Sequence, residues 1–108
     1  MNIDEYTSLD ATGLASAIRS GQISHDEATA AATSAIGAVN QQLNAVADGP
    51  FPPLAYSANG PFAGVPFVIK DLVCHAAGVP TRMGTRMLGE GVLPTEDTHL
   101  MTLFRQAG

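Results

Sequence analysis

The proline distribution constrains the fold of this chain more than any other feature, because four of the seven prolines fall within residues 50–61. Proline has no backbone N–H and a fixed φ, so prolines at this density fit neither a helix interior nor a central strand. The stretch "DGPFPPLAYSANGP" therefore predicts a surface loop over residues 48–63. This loop separates a helical part, residues 8–40, from a carboxyl-terminal part, residues 64–108, within a single domain.

Two helices are predicted ahead of the loop. Apolar residues at helical spacing indicate a first helix over Ser8–Ser20, with Gly21 at its carboxyl-terminal cap. The stretch "SHDE" matches a capping box, in which Ser24 and Glu27 satisfy each other's free backbone amides. The alanine-rich residues that follow favour a second helix to Asn40.

Strands and a last helix are predicted around and after the loop. Residues Leu43–Ala47 indicate a short strand, and the β-branched and aromatic residues of Val65–Asp71 indicate the best strand of the chain. The unbroken apolarity of this second strand predicts burial on both faces. Thr95 or Asp97 is expected to cap a final helix that Gly108 closes. Helices alternating with strands predict an α/β fold.

Composition narrows the function classes. The chain has 108 residues, of which 45% are hydrophobic and only 14% charged, against about 25% charged residues in an average domain. The low charge suggests surface that partner structure covers. The net charge of −5 comes with scattered arginines, so no basic stripe indicates a nucleic-acid partner. No apolar run approaches a membrane span, and the acidic start differs from a signal peptide, so a cytoplasmic protein is expected.

Cysteine and histidine offer little chemistry. The single cysteine, Cys74, excludes an internal disulfide, and the three histidines, His25, His75 and His99, are too dispersed for a local metal site. Cys74 beside His75 suggests a nucleophile and its base, but neighbouring residues on a strand point to opposite faces. A structural thiol is the preferred interpretation, and neither a metal nor a cofactor is expected.

The methionines and glycines of residues 78–91 allow two interpretations. Met83, Met87 and Met101 could line an adaptable apolar pocket, although methionine more commonly fills gaps in a core. The glycines match neither a phosphate-binding loop nor a dinucleotide fingerprint, so they indicate turns.

Lys70 is the only lysine of the chain, and it follows the apolar residues Val68 and Ile69. A lysine desolvated at the end of a buried strand would have a lowered pKa and could act as a general base. Alternatively, Lys70 emerges at the strand end and pairs with Asp71 or another carboxylate. The residues alone leave both interpretations open.

The stretch "GPFAGVPFVIKDL" resembles the amidase signature family, whose members read Gly-Pro-Leu-x-Gly-(Val/Ile)-Pro-x-x-x-Lys-Asp at this point. Three flanking stretches are also similar to the family, and they occur in the same order: "SGQISHDEATAAATSAIGAVNQQLNAVAD", "GVPTRMGTRML" and "EDTHLMTLFRQAG". The similarity runs from about Leu9 to Gly108. The proline-rich loop departs from the family, which has a longer helix there, and Arg82 and Met83 stand where small residues are common.

The resemblance implies the amino-terminal part of an α/β/α amidase domain that is incomplete in this chain. It assigns Lys70 to the lysine of a Ser-cisSer-Lys triad that hydrolyses carboxylic amides through an acyl-enzyme, and Met83 and Gly84 to the substrate pocket. Both triad serines of the family lie beyond the part that this chain resembles, so the 108 residues alone are expected to be inactive. Two alternatives stay open: a non-catalytic chain that folds or associates, with a homo-oligomer among its forms, and part of the A subunit of a tRNA-dependent amidotransferase.

Overall fold

The computed structural model describes all 108 residues and consists of four α-helices joined by irregular segments. Their bounds are α1, Ile3–Thr7; α2, Ala11–Arg19; α3, His25–Leu43; and α4, His99–Ala107, with one 3-10 turn at Arg86–Leu88. There is no strand and no sheet. The only strand-like pairing is an isolated antiparallel bridge between Thr81 and Val92. The predicted α/β fold is therefore wrong, and the chain is helical.

The segment Val65–Asp71 does not form the predicted strand because it has no partner. None of the backbone N–H or C=O groups of residues 66–74 is hydrogen-bonded to another backbone group. A strand exists only through its pairing with a neighbour, so strand propensity without a second extended segment leaves the backbone irregular. A positive φ of 75° at Val73 then ends the extended run.

The other predicted strand, Leu43–Ala47, is also wrong, because α3 continues to Leu43 and ends at Asn44 in the left-handed region (φ 48°). The carboxamide of Asn40 replaces a strand partner for the residues that follow. Its Nδ2 donates to the carbonyl of Val46 at 2.8 Å, and its Oδ1 accepts from the N–H of Val46 at 2.9 Å. This side chain satisfies both backbone groups of Val46 without a sheet.

The capping box of α3 is confirmed. The Ser24 hydroxyl accepts from the Glu27 N–H at 3.2 Å, and the Glu27 carboxylate accepts from the Ser24 N–H at 2.8 Å. The bond from Ser24 holds the pKa of Glu27 below its usual value. Local sequence chemistry therefore determines the start of α3, as expected for a cap.

Other helix ends differ from prediction by a few residues. Helix α2 starts at Ala11 with Asp10 as its N-cap rather than at Ser8. The short helix α1, which has its own capping box between Asn2 and Glu5, was not predicted. Helix α4 is capped by Thr98 rather than by Thr95 or Asp97, and Gly108 closes it as predicted.

Buried side chains form two groups. In the amino-terminal part they lie on α2 and α3 and are mostly small: Leu14, Ala15, Ala28, Ala31 and Ala32. The second group, called here the carboxyl-terminal core, consists of Cys74, Ala76, Val79 and Met101, with Leu54, Ile69 and Phe104 packed against it. Ile69, the residue before Lys70, is thereby anchored in this core. Met101 fills a core, whereas Met83 and Met87 are exposed.

The loop segment 57–63 packs on the carboxyl end of α4. The N–H of Ser57 donates to the carbonyl of Arg105 at 2.8 Å, and the N–H of Phe62 donates to the carbonyl of Ala107 at 2.8 Å. These bonds satisfy carbonyls that a helix end otherwise leaves free. Gly60 lies so close to α4 that a Cβ built on it would be 2.2 Å from the carbonyl oxygen of Ala107. The first glycine of "GPFAG" thus allows two backbones to meet.

Asp97 and Arg105 form a two-pronged ion pair whose side chains are only 18% and 21% exposed. The guanidinium donates through Nε and Nη2 to the two carboxylate oxygens, and its Nη1 donates to the carbonyl of Ala55 at 2.9 Å. The same carboxylate accepts from the N–H of Ala77 at 2.8 Å. These bonds hold the pKa of Asp97 below its usual value, chiefly through Arg105. The pair therefore joins the start of α4 to the proline-rich loop, through Ala55, and to the segment around Ala77.

The chain exposes more surface than a self-contained protein of its size. Its accessible surface is 7388 Å², and 11 of its 108 residues are buried. A folded monomer of the same mass exposes roughly 5,700 Å². No helix is long and apolar enough to cross a membrane.

Candidate functional site

Lys70 lies on the surface, between the anchored Ile69 and the exposed Asp71. Its amine makes no hydrogen bond with any protein group. None of the four ion pairs of the chain includes it. The interpretation in which Lys70 pairs with Asp71 or another carboxylate is therefore wrong in this structure. The amine is available for chemistry or for a contact outside these residues.

The residues around Lys70 are apolar and open. Phe67 and Val68 are 54% and 64% exposed, and Leu72 and Val73 are exposed beyond the lysine. Phe67 still packs on one side against Phe104, with ring centroids 4.5 Å apart. The predicted burial on both faces is not found. The lone amine sits instead within a stretch of uncovered apolar surface.

Asp71 binds the loop that follows. The Thr81 hydroxyl and the Arg82 N–H each donate to Oδ1 of Asp71 at 2.9 Å. The Arg82 amide is the largest cause of a pKa of Asp71 below its usual value, with smaller contributions from the Thr81 hydroxyl and the amides of Met83 and Gly84. Consecutive backbone amides converging on one anion form a nest. We call these contacts the Asp71 nest.

The two predicted pocket residues directly follow Arg82 in the loop that Asp71 binds. Met83 and Gly84 both have positive φ values, 52° and 67°, in the turn that follows Arg82. Both residues are exposed. Because Asp71 is covalently joined to Lys70, the nest brings the backbone of Met83 and Gly84 to the segment that carries the lysine.

Two further contacts fix the same loop. Thr81 and Val92 exchange backbone hydrogen bonds of 2.9 Å in both directions. The Arg82 guanidinium lies 2.7 Å from the Asp48 carboxylate and 3.6 Å from that of Glu90. The loop is therefore attached to the proline-rich loop as well as to the Lys70 segment.

Cys74 and His75 do not form a reactive pair. Burial raises the pKa of the Cys74 thiol, which lies in the carboxyl-terminal core, and a thiolate is what a cysteine nucleophile requires. The His75 carbonyl accepts from the N–H of Thr98 at 3.0 Å. The imidazole Nε2 of His75 is buried without a hydrogen bond. This arrangement agrees with the structural interpretation of the cysteine.

The structure joins the loop that carries Met83 and Gly84 to Asp71, the residue after Lys70. No hydrogen bond joins Lys70 to any of the six serine hydroxyls, which lie on or beside the first three helices and in the proline-rich loop. No three His, Cys, Asp or Glu side chains come together to hold a metal ion. Sequence reasoning missed the role of Asp71, for which the adjacent Lys-Asp pair was the only available signal.

Comparisons with known proteins agree with the residue pattern. The chain is 36% identical over 103 residues to the 6-aminohexanoate-cyclic-dimer hydrolases of Pseudomonas sp. and Paenarthrobacter ureafaciens, covering 92% of this chain and 21% of each relative. It is 36% identical over 96 residues to the A subunit of the glutamyl-tRNA(Gln) amidotransferase of Alkalilimnicola ehrlichii, covering 79% of this chain and 20% of that protein. No protein-family model and no solved structure matches the chain.

These relatives define the class of the chain as amidase-like. With the Gly-Pro to Lys-Asp motif in place, the chain is similar to a fragment of these amidase signature family members. It spans about a fifth of the length of the curated relatives that it matches.

Proposed function

We propose that this chain is a segment of a serine-dependent amidase that hydrolyses carboxylic amide C–N bonds, and that Lys70 is its general base. The observation that carries the proposal is the lone, unpaired Lys70 amine inside a motif that resembles the amidase signature. No structural role competes for this amine.

The proposed base requires a neutral amine, so Lys70 must lose hydration. Desolvation disfavours a charged ammonium and lowers the pKa of a lysine toward neutrality. The lysine has an apolar surround, which is exposed in this 108-residue chain and consists of Phe67, Val68, Leu72 and Val73. Covering that surround with the remainder of an amidase would desolvate Lys70 at the same time. The accessible surface in excess of a monomer, about 1,700 Å², is large enough for such an interface.

In the proposed chemistry, Lys70 first accepts a proton and then returns it. A nucleophilic serine attacks the amide carbonyl and passes its proton through a second serine to the neutral amine, which gives a tetrahedral oxyanion. The lysine ammonium then returns the proton to the leaving amine, the C–N bond breaks, and an acyl-enzyme remains. Water releases the acid in a second round.

The A subunit of an amidotransferase is the second candidate, because the A subunit of a glutamyl-tRNA(Gln) amidotransferase is among the proteins similar to this chain. Such a protein would use the same lysine on a glutamine-type amide and would pass the nitrogen on rather than release it. Stable assembly with a partner protein distinguishes it from a free amidase. The third alternative is a chain that associates without turnover.

The test is a hybrid amidase in which this chain replaces the matched segment of the Paenarthrobacter ureafaciens hydrolase. We expect the hybrid to hydrolyse amides and Lys70→Ala to lower turnover by about 10²–10⁴-fold, the usual cost of losing a general base. Lys70→Arg should not restore activity, because a guanidinium stays protonated. Arg86→Ala, which removes an exposed cation from the same region, is the matched control and should retain activity. A folded hybrid without turnover, or near-normal activity in Lys70→Ala, would contradict the proposal.

A further inference from the structure

We infer that Asp71 is a positioning residue, whose carboxylate holds the loop Thr81–Gly84 beside Lys70 so that Met83 and Gly84 contact the amide substrate. This inference rests on the proposed function of Lys70. It assigns the second residue of the Lys-Asp pair a task different from that of the first.

The contacts of Asp71 run across the chain rather than along it. Its acceptor oxygen binds the Thr81 hydroxyl and the Arg82 N–H at 2.9 Å each, ten and eleven residues away. No other hydrogen bond joins the Lys70 segment, residues 66–73, to the rest of the protein. Without the Asp71 nest, only apolar packing through Ile69 and Phe67 would hold these residues in place.

The charge of Asp71 is directed to the nest and not to the lysine. Asp71 forms no ion pair with Lys70, although the two residues are adjacent. A carboxylate that bonded the ammonium would stabilise the protonated lysine and oppose its action as a base. By accepting from the Thr81 hydroxyl and the Arg82 amide instead, Asp71 fixes the geometry and leaves the amine unpaired.

The nest also explains how Met83 keeps an unfavourable backbone conformation. A left-handed φ of 52° is uncommon for a residue other than glycine and persists only where its surroundings enforce it. Met83 follows Arg82, whose amide is bound by Asp71, and precedes Gly84 in the same turn. Release of the carboxylate should therefore free Met83 and Gly84 together.

The first arm of the test uses the 108-residue chain and reads the Arg82 backbone amide by hydrogen exchange. Asp71→Ala should speed exchange of this amide by at least about tenfold, because a bond to a charged acceptor is among the stronger ones. Exchange at Val92, which bonds Thr81 through the backbone, should change less. Glu96→Gln, which alters an exposed carboxylate with no hydrogen-bonded partner, is the control and should change neither amide.

The second arm uses the hybrid amidase. Asp71→Ala should raise the KM for amide substrates by about tenfold and lower kcat by a smaller factor, whereas Lys70→Ala should act on kcat. Asp71→Asn, which keeps an acceptor oxygen at the same place, should recover part of the KM loss.

Unchanged Arg82 exchange in Asp71→Ala overturns the inference whatever Lys70 does. Faster exchange with an unchanged KM overturns the positioning role and leaves the proposed function intact. Near-normal turnover in Lys70→Ala overturns the proposed function and with it the positioning role, although the exchange arm would still report the nest.

Discussion

Substituting Gly60 by alanine should destabilise the chain through the contact between the proline-rich loop and α4. The added Cβ would lie 2.2 Å from the carbonyl oxygen and 2.3 Å from the carbonyl carbon of Ala107. Both atoms belong to the backbone, so no side-chain rotation can relieve the overlap. The loop and the helix end must instead separate by about 1 Å, since nonbonded carbon atoms pack at roughly 3.5–4.0 Å.

The expected cost follows from two losses. Overpacking of a tight contact costs about 1–3 kcal/mol. The same separation stretches the bond from the Phe62 N–H to the Ala107 carbonyl, now 2.8 Å, and a lost hydrogen bond costs about 0.5–1.5 kcal/mol. We therefore expect Gly60→Ala to lower the free energy of unfolding by about 3 kcal/mol.

Gly37→Ala is the matched control, because it makes the same chemical change where no atom beyond the adjoining backbone of α3 lies within 4 Å of the new Cβ. Gly37 is exposed and lies inside α3, where alanine is favoured over glycine by about 1 kcal/mol. The two substitutions should thus have opposite signs in urea unfolding followed by far-UV circular dichroism. An unfolding free energy of Gly60→Ala within about 0.5 kcal/mol of the wild type, the range of neutral surface changes, would refute the reasoning.

Two further predictions concern catalysis by the isolated chain and its acid stability. The 108-residue chain alone should neither hydrolyse aryl or alkyl amides nor take up a serine-reactive fluorophosphonate, because no serine is bonded to Lys70; stoichiometric labelling of any serine would show otherwise. Asp97→Asn should cost about 3 kcal/mol at neutral pH, because it leaves the largely buried Arg105 without its charged partner. Since the pKa of Asp97 is lowered by folding, this difference in stability is present above the unfolded value of about 3.9 and is lost as pH falls through the folded value. The difference in unfolding free energy between wild type and Asp97→Asn should therefore shrink between pH 7 and pH 2, and a constant difference would argue against the pair.

The parts of the fold that depend on nearby residues could be predicted from the sequence. Ser24 and Glu27 are three residues apart, so their reciprocal bonds are a local property and the start of α3 follows from them. Helix α4 was expected at almost the right place, but its cap was not. Asp97 accepts from Arg105 and Ala77, which leaves the Thr98 hydroxyl to accept from the Met101 N–H at the start of α4.

The parts that depend on distant residues could not be predicted in the same way. Strand propensity in Val65–Asp71 describes how side chains suit a sheet, whereas the existence of a sheet depends on a second strand. At the candidate site, the motif predicts Lys70, Met83 and Gly84. What joins them is Asp71 acting across ten residues, and no periodicity or spacing rule signals such a contact.

The solitary, exposed position of Lys70 gives the protein a built-in chemical reporter. Lys70 is the only lysine of these 108 residues, so its Nζ is their only side-chain amine. A reagent selective for amines can therefore modify one side chain only, and it does so at the centre of the uncovered apolar stretch. The extent of that single modification measures how far the stretch is covered, in any mixture or assembly, without introducing a label or a mutation.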